Sequence, residues 1–343
     1  MKKPYETALK ELCGGVPPAS RNLGGPSVVA LAHAAQVLGD RDQVRFFGCR
    51  GTDETGNLVE DALSRLPFRE YRLLSKKGAT PRTDVLSDPD YDNGHGERTF
   101  INLLGAANAM CPADLGDDFF DAHIIAFGGT GLVPQIHDGL TELLKRGQKN
   151  GALTVVNLVY DYRSEINFPG QKWKLGIQDD AYPYIDILIA DRDEALKTSG
   201  CASTEEAAAW FLFRGTGAVL ITEGARSIKL AAGNGRCIPL KLQALPVCEE
   251  INRELALYPE RRGDTTGCGD NFAGGIITGI AEQLTMTPNR KIDLRDACIQ
   301  GIIAGGFACF TIGGTFYESY PGEKRERLAF YREAYRKQQG STR

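Results

Sequence analysis

The run GDTTGCGDNFAGG, Gly263–Gly275, sets two acids, Asp264 and Asp270, among glycines and threonines and follows them with an apolar pattern. Phe272, Ile276, Ile280 and Leu284 recur every four residues, with Ala273 and Ile277 beside them. That is one face of an amphipathic helix. Asp270 therefore lies in the first turn of a helix, where backbone N–H groups lack intrahelical partners and the dipole leaves partial positive charge. Gly267 and Gly269 allow a sharp turn and a close approach to a ligand. TTGCGD then reads as an anion cradle at a helix start. An acid beside it would repel a phosphate unless it takes the proton of an attacking hydroxyl, with the glycine amides stabilising the moving phosphoryl group. The competing reading of Asp270 is an ordinary N-cap. Gly274 and Gly275 each cost about 1 kcal/mol against alanine inside a helix, which argues for some closer approach.

The chain has 343 residues, enough for one large α/β domain or two medium ones. Apolar residues make up 42%, sufficient for a full core. The net charge is −4 with both signs scattered and no basic block, which argues against nucleic-acid or anionic-membrane partners. Nine cysteines show no C-x-x-C spacing, and four scattered histidines form no metal set. The expectation is a reduced, cytoplasmic protein without a disulfide framework. Ala297–Gly314 is nearly free of charge and about as long as a membrane span. Asp293, Arg295 and Asp296 open it, Gln300 interrupts it, and its glycines and alanines suit a closely packed buried helix instead.

Short apolar runs alternate with helical patterns: QVRFFGCRG, HIIAFGG, ALTVVNLVY, IDILIAD and GAVLITEG are strand-like and end in Gly, Asp or Asn. Helices are expected over 26–39, 136–151 and 203–215, the last with Ser203 three residues before Glu206. This alternation means a mostly parallel sheet covered by helices, with ligands beyond the carboxyl ends of its strands. From about 69 to 102 the alternation becomes polar and apolar, with an Asp-Asn-Gly turn near YDNGHG. A hairpin or small sheet standing over the body is expected there. One domain, 1–343, with a β lid from about 69–102 accounts for the chain; part of 1–23 is a further candidate for the lid.

The chain lacks GxxxxGK[ST], a strand-to-helix GxGxxG, HExxH and GxSxG. DTTGCGDNFAGG instead resembles the C-terminal signature D-T-x-G-A-G-D of the ribokinase-like (PfkB) carbohydrate kinases, with Cys268 in the alanine position as a small filler. GGPSVVALAHAAQVLG followed by VRFFGCRGTDETGN is similar to the N-terminal signature, GERTF to a lid strand, ILIADRDEA to N-x-x-E, LITEGARS to T-x-G and FTIGGT to the loop closing the nucleotide site.

The resemblance implies a three-layer α/β/α sandwich with a mostly parallel central sheet and a small β lid. It implies ATP-dependent phosphorylation of a hydroxyl on a small sugar or sugar-like molecule. Asp270 would be the base, and Gly267, Cys268 and Gly269 the anion hole. Thr222 and Gly224, with Asp264, Thr266 and Gly314, would approach the nucleotide. Glu194 and Asp191 would serve Mg²⁺ through water. Asp264, Thr266, Cys309, Ile312 and Gly314 would line a monovalent-cation site, with potassium as the candidate. Gly24 and Gly25 would contact the sugar. Arg98 from the lid and Arg163, in YDYRSE, are further substrate candidates, against a solvated lid arginine and a strand-end salt bridge. Dimerisation through the lid is a family habit and so a candidate here.

Three positions depart from the pattern. No opening strand with its sugar-binding aspartate is evident before Gly24. Val29 stands where an asparagine is expected, and Asp191 replaces the asparagine of N-x-x-E. A nucleoside kinase and a sugar-binding regulatory protein without turnover are the alternatives.

Overall fold

The computed structural model describes residues 5–39, 43–88, 97–287 and 290–341. Its centre is a six-stranded sheet in the spatial order Leu240–Pro246, Ser227–Ala232, Ala218–Thr222, Ile187–Asp191, Leu153–Asn157, Ile124–Gly128. Strands β5 (Ile124–Gly128), β6 (Leu153–Asn157), β7 (Ile187–Asp191) and β8 (Ala218–Thr222) run parallel. Strands β9 (Ser227–Ala232) and β10 (Leu240–Pro246) complete one edge antiparallel. The inner strands are apolar on both faces because both are covered. Leu153, Val155, Ile187, Ile189, Ala218 and Leu220 join one core, while Val156, Leu188, Ala190, Val219 and Ile221 join the other. That period of two between separate cores makes three layers.

One layer contains the helices Pro26–Leu38, Cys268–Met286, Leu294–Ala308 and Glu323–Ser341. The segment that resembles a membrane span is the third of these. A Cβ on Gly275 would stand 2.5 Å from Gln300 O, and one on Gly279 2.9 Å from Ala297 Cα, so glycines let the two long helices touch backbone to backbone. Among the described residues no helix is long and apolar enough to cross a membrane. On the other layer the helix expected over 136–151 is two, Pro134–Asp138 and Leu140–Lys149. The break is at Gly139, which a Cβ could not occupy without meeting Pro112 Cγ at 2.5 Å.

The lid is smaller than expected. Strand β2 (Glu70–Ser75) pairs in parallel with β1 (Arg45–Arg50), so it belongs to a strand–helix–strand unit with the helix Glu54–Ser64. The lid hairpin is β3 (Arg82–Asp88) against β4 (Glu97–Leu103) alone. Its expected YDNGHG turn lies outside the described residues. Among the described residues no strand precedes β1; a helix, Tyr5–Cys13, stands there instead. Tyr5 OH donates to Asp84 Oδ2, and Glu6 pairs with Arg82, so this helix lies on one face of the hairpin.

Candidate active site

Four parallel strands present their carboxyl ends side by side, and the candidate residues gather there. At the end of β5, Gly128 exchanges hydrogen bonds with Ser27 Oγ (N–H to Oγ 2.9 Å; Oγ to O 3.0 Å), which ties down the start of the Pro26–Leu38 helix. Gly25, at φ 113°, is the N-cap of that helix. At the end of β6, Asn157 Nδ2 donates to Asp270 Oδ1 at 3.4 Å. Asp191 ends β7 and lies opposite Thr222, which ends β8; Gly224 follows at φ 61°.

The Cys268–Met286 helix begins as its sequence implies. Gly267 is the N-cap at φ 78°, and a Cβ there would stand 2.5 Å from Gly314 Cα. The N-cap position belongs to Gly267 and the helix starts at Cys268, so Asp270 stands inside the first turn and is not the N-cap. Burial pushes its carboxyl up to about 6, against the opposing hydrogen bond from Asn157. Of the three cradle amides, Cys268 N–H closes a turn onto Thr265 O at 3.3 Å. The N–H groups of Gly269 and Asp270 are first-turn groups without intrahelical partners.

Two glycines of the site are required by neither φ nor packing. Gly24 and Gly269 lie outside the left-handed region, and a Cβ on either would meet nothing within 4 Å. Both lie at the start of helices that pack on one another, since a Cβ on Gly274 would stand 2.5 Å from Ala30 O.

Above the cradle, Arg98 Nη1 donates to Thr266 Oγ1 at 3.1 Å. Arg98 and Phe100 are two apart on β4, and Val85 is the partner of Phe100, so the three share a hairpin face. Beside the arginine that reaches the cradle, Phe100 and Val85 are 48% and 38% exposed. The opposite face carries the Tyr5–Cys13 helix.

Asp191 and Glu194 form a reciprocal cap: Glu194 N–H to Asp191 Oδ1 and Asp191 N–H to Glu194 Oε2, each 2.8 Å. Burial raises both carboxyls, and for Glu194 the charges of Asp191 and then Asp270 add to it. Among the described residues no group of three His, Cys, Asp or Glu could hold a metal alone. Mg²⁺ keeps several waters and shares its coordination with substrate phosphates, so an acid pair short of countercharge, with Glu194 buried and Asp191 exposed at the strand end, fits it.

The loop 263–268 is closed against 309–315 by the protein's own donors. Gly263 N–H bonds Cys309 O at 2.8 Å and Asp264 N–H bonds Thr311 O at 3.1 Å. The Asp264 carboxylate accepts from Thr266 N–H (2.7 Å) and Gly313 N–H (3.3 Å). Asn22 Nδ2 holds Ile312 O at 3.1 Å, and Asn271 Nδ2 holds Gly267 O and Gly314 O at 2.9 and 2.8 Å. Of the oxygens expected around a monovalent cation, those of Asp264, Cys309, Ile312 and Gly314 thus already accept amide hydrogens. Cys268 Sγ and Cys309 Sγ lie 3.5 Å apart within this loop pair.

Beneath Asn271 lies a buried lysine that the sequence reading missed. Lys324 Nζ donates to Asn271 Oδ1 (3.2 Å) and Gln36 Oε1 (3.1 Å), and burial pushes it down to about 7. Asn157, by contrast, carried a signal: an asparagine closing an apolar strand. Arg163 makes a salt bridge, Nη2 to Asp138 Oδ1 at 2.7 Å, but between two short helices, Tyr162–Asn167 and Pro134–Asp138, rather than at a strand end. Val29 is buried with Cγ2 2.7 Å from where a Gly314 Cβ would be, so it packs against the 309–315 loop.

The chain matches the family described as pfkB family carbohydrate kinase over residues 24–318. It is 26% identical over 282 residues to an adenosine kinase of Schizosaccharomyces pombe, covering 78% of this chain and 75% of that protein. A Schistosoma mansoni adenosine kinase structure in complex with 2-fluoroadenosine is similar at TM-score 0.72 and 17% identity, over 93% of this chain and 89% of the other. A ribokinase from Thermotoga maritima is similar at TM-score 0.62 and 17% identity, over 92% and 90%. At those identities the structures speak for the fold; the match over residues 24–318 carries the assignment, and the chain belongs to the pfkB family of carbohydrate kinases.

Proposed function

We propose that the chain transfers the terminal phosphoryl group of ATP to a hydroxyl of a sugar or sugar-like alcohol, with Asp270 as the base. The observation that carries this is the desolvated Asp270 carboxyl in the first turn of a glycine-started helix, beyond the ends of four parallel strands. A base with an elevated pKa is still ionised near neutrality and matches the proton it must take. Its proton comes from the acceptor hydroxyl, whose oxygen attacks the phosphorus. First-turn amides at Gly269 and Asp270, the Gly267 turn and the Arg98 guanidinium then face the charge on the moving group. Thr222 and Gly224 lie on the nucleotide side, Gly24 and Gly25 on the acceptor side. Asp191 and Glu194 would hold Mg²⁺, which when bound neutralises charge on the phosphates. Gly24 and Gly269, two glycines of the site that neither φ nor packing demands, support ligand approach at both points.

A nucleoside acceptor is the second reading. Phe100 and Val85, exposed on the Arg98 face of the lid, offer an apolar roof of the kind a base would stack on. The adenosine kinase relatives point the same way. The test is ADP release with a panel of ketoses, aldoses, sugar acids, inositols and nucleosides. Release with a nucleoside alone selects the second reading. Binding of panel members without ADP release for any of them overturns the kinase reading in favour of a regulatory binding protein.

A further inference from the structure

Two thiols meet inside the loop pair that carries the anion cradle. Cys268 opens the Cys268–Met286 helix, and Cys309 is the C-cap of the Leu294–Ala308 helix. They are 41 residues apart in sequence, yet their sulfurs are 3.5 Å apart, and both are free and half-buried. A disulfide has an S–S length of about 2.05 Å, so closure needs roughly 1.5 Å of approach. The backbone on either side is pinned: Gly263 N–H to Cys309 O, Asp264 N–H to Thr311 O, and the Asn271 amide to Gly267 O and Gly314 O. The closeness of the sulfurs therefore belongs to the packing of the two loops, not to a chance pair of rotamers.

We propose that Cys268 and Cys309 are a reversible dithiol–disulfide site, oxidised by low-molecular-weight disulfides, and that oxidation suppresses phosphoryl transfer. One protein thiolate attacks a sulfur of the reagent disulfide, whose S–S bond breaks and releases one small thiol. The second protein sulfur, already in contact, attacks the first and releases the other small thiol. The protein dithiol loses two electrons and two protons, and the reagent disulfide gains both as two thiols. The new bond draws Cys268, and with it the first turn that carries the Gly269 and Asp270 amides, toward the 309 turn. A misplacement of about 1 Å in a catalytic arrangement can cost on the order of 10²-fold in rate. The effect on turnover rests on the kinase reading above; the bond itself does not.

The experiment treats the full chain with oxidised glutathione, maps disulfides by peptide mass spectrometry, and measures ADP release before and after, then after dithiothreitol. The expected result is a Cys268–Cys309 cross-link, a loss of about 2 Da from the intact mass (two hydrogens), and a fall in turnover that dithiothreitol restores. For Cys268→Ser and Cys309→Ser, oxidised activity is compared with the same variant's reduced activity, and that ratio should stay near one. Cys201→Ser should respond to oxidation as the wild type does. No 268–309 cross-link in the wild type overturns the proposal without recourse to any variant. A cross-link with unchanged turnover, or an equal loss in both serine variants, overturns its effect on catalysis. Failure of the kinase reading would show separately, as absent ADP release in the reduced protein.

Discussion

Asp270 is held between burial, which favours its neutral form, and Asn157, which favours its charge. As a base it must be ionised, so kcat/KM should rise with pH through about 6 and level off above it. Asp270→Asn should fold and lose about 10²–10⁴-fold in kcat. The sign for stability is opposite to that for activity. A folded-state pKa above the unfolded value stabilises at low pH, and that contribution is lost as pH rises through about 6. The asparagine variant should therefore melt no lower than wild type at pH 7, as differential scanning calorimetry would read. Gly24→Ala separates ligand from fold in the same way: with no atom within 4 Å of a new Cβ, the melting temperature should hold. The acceptor KM should rise about tenfold, roughly 1.4 kcal/mol.

At the scale of elements, two helix starts and one helix contact position the site. Gly275→Ala tests the contact. Alanine gains about 1 kcal/mol of helix propensity over glycine, but its Cβ would lie 2.5 Å from Gln300 O and 2.7 Å from Gly301 Cα. Both are backbone atoms of a packed helix, and overpacking of that kind costs about 1–3 kcal/mol. Overpacking should win, and urea denaturation should show a net loss of stability. The helix start at Gly267 was legible in the sequence because caps and periodicity are local. The lid boundary was not: Glu70–Ser75 has the same alternation as the hairpin, and only its partner β1 separates it from β3 and β4.

For the whole molecule, the cradle depends on a buried chain of contacts. Lys324, on the last helix, bonds Asn271, which holds the carbonyls of both Gly267 and Gly314. Lys324→Met should leave Asn271 Oδ1 without this donor, loosen the loop pair and lower kcat. The wild-type lysine has a folded pKa of about 7, below its unfolded value, so the unfolded chain binds more protons between the two. Wild-type stability should then gain up to about 1.4 kcal/mol per pH unit on raising pH from 7 toward 10. The methionine variant should lack that gain, which paired denaturant melts at pH 7 and pH 9 would reveal.

Gly263–Leu284 contains the glycine turn, the acid in the first turn and the helix period that follows it. Those follow from backbone geometry and neighbouring side chains, so the strand-and-helix class and the candidate base were readable from the chain alone. The surroundings of that base were not. Asn157 lies 113 positions from Asp270, Lys324 lies 53 from Asn271, and Asn22 lies 290 from Ile312. Such contacts arise from strand order and from helices that bury both faces of one sheet, a condition on the whole chain that no local window contains.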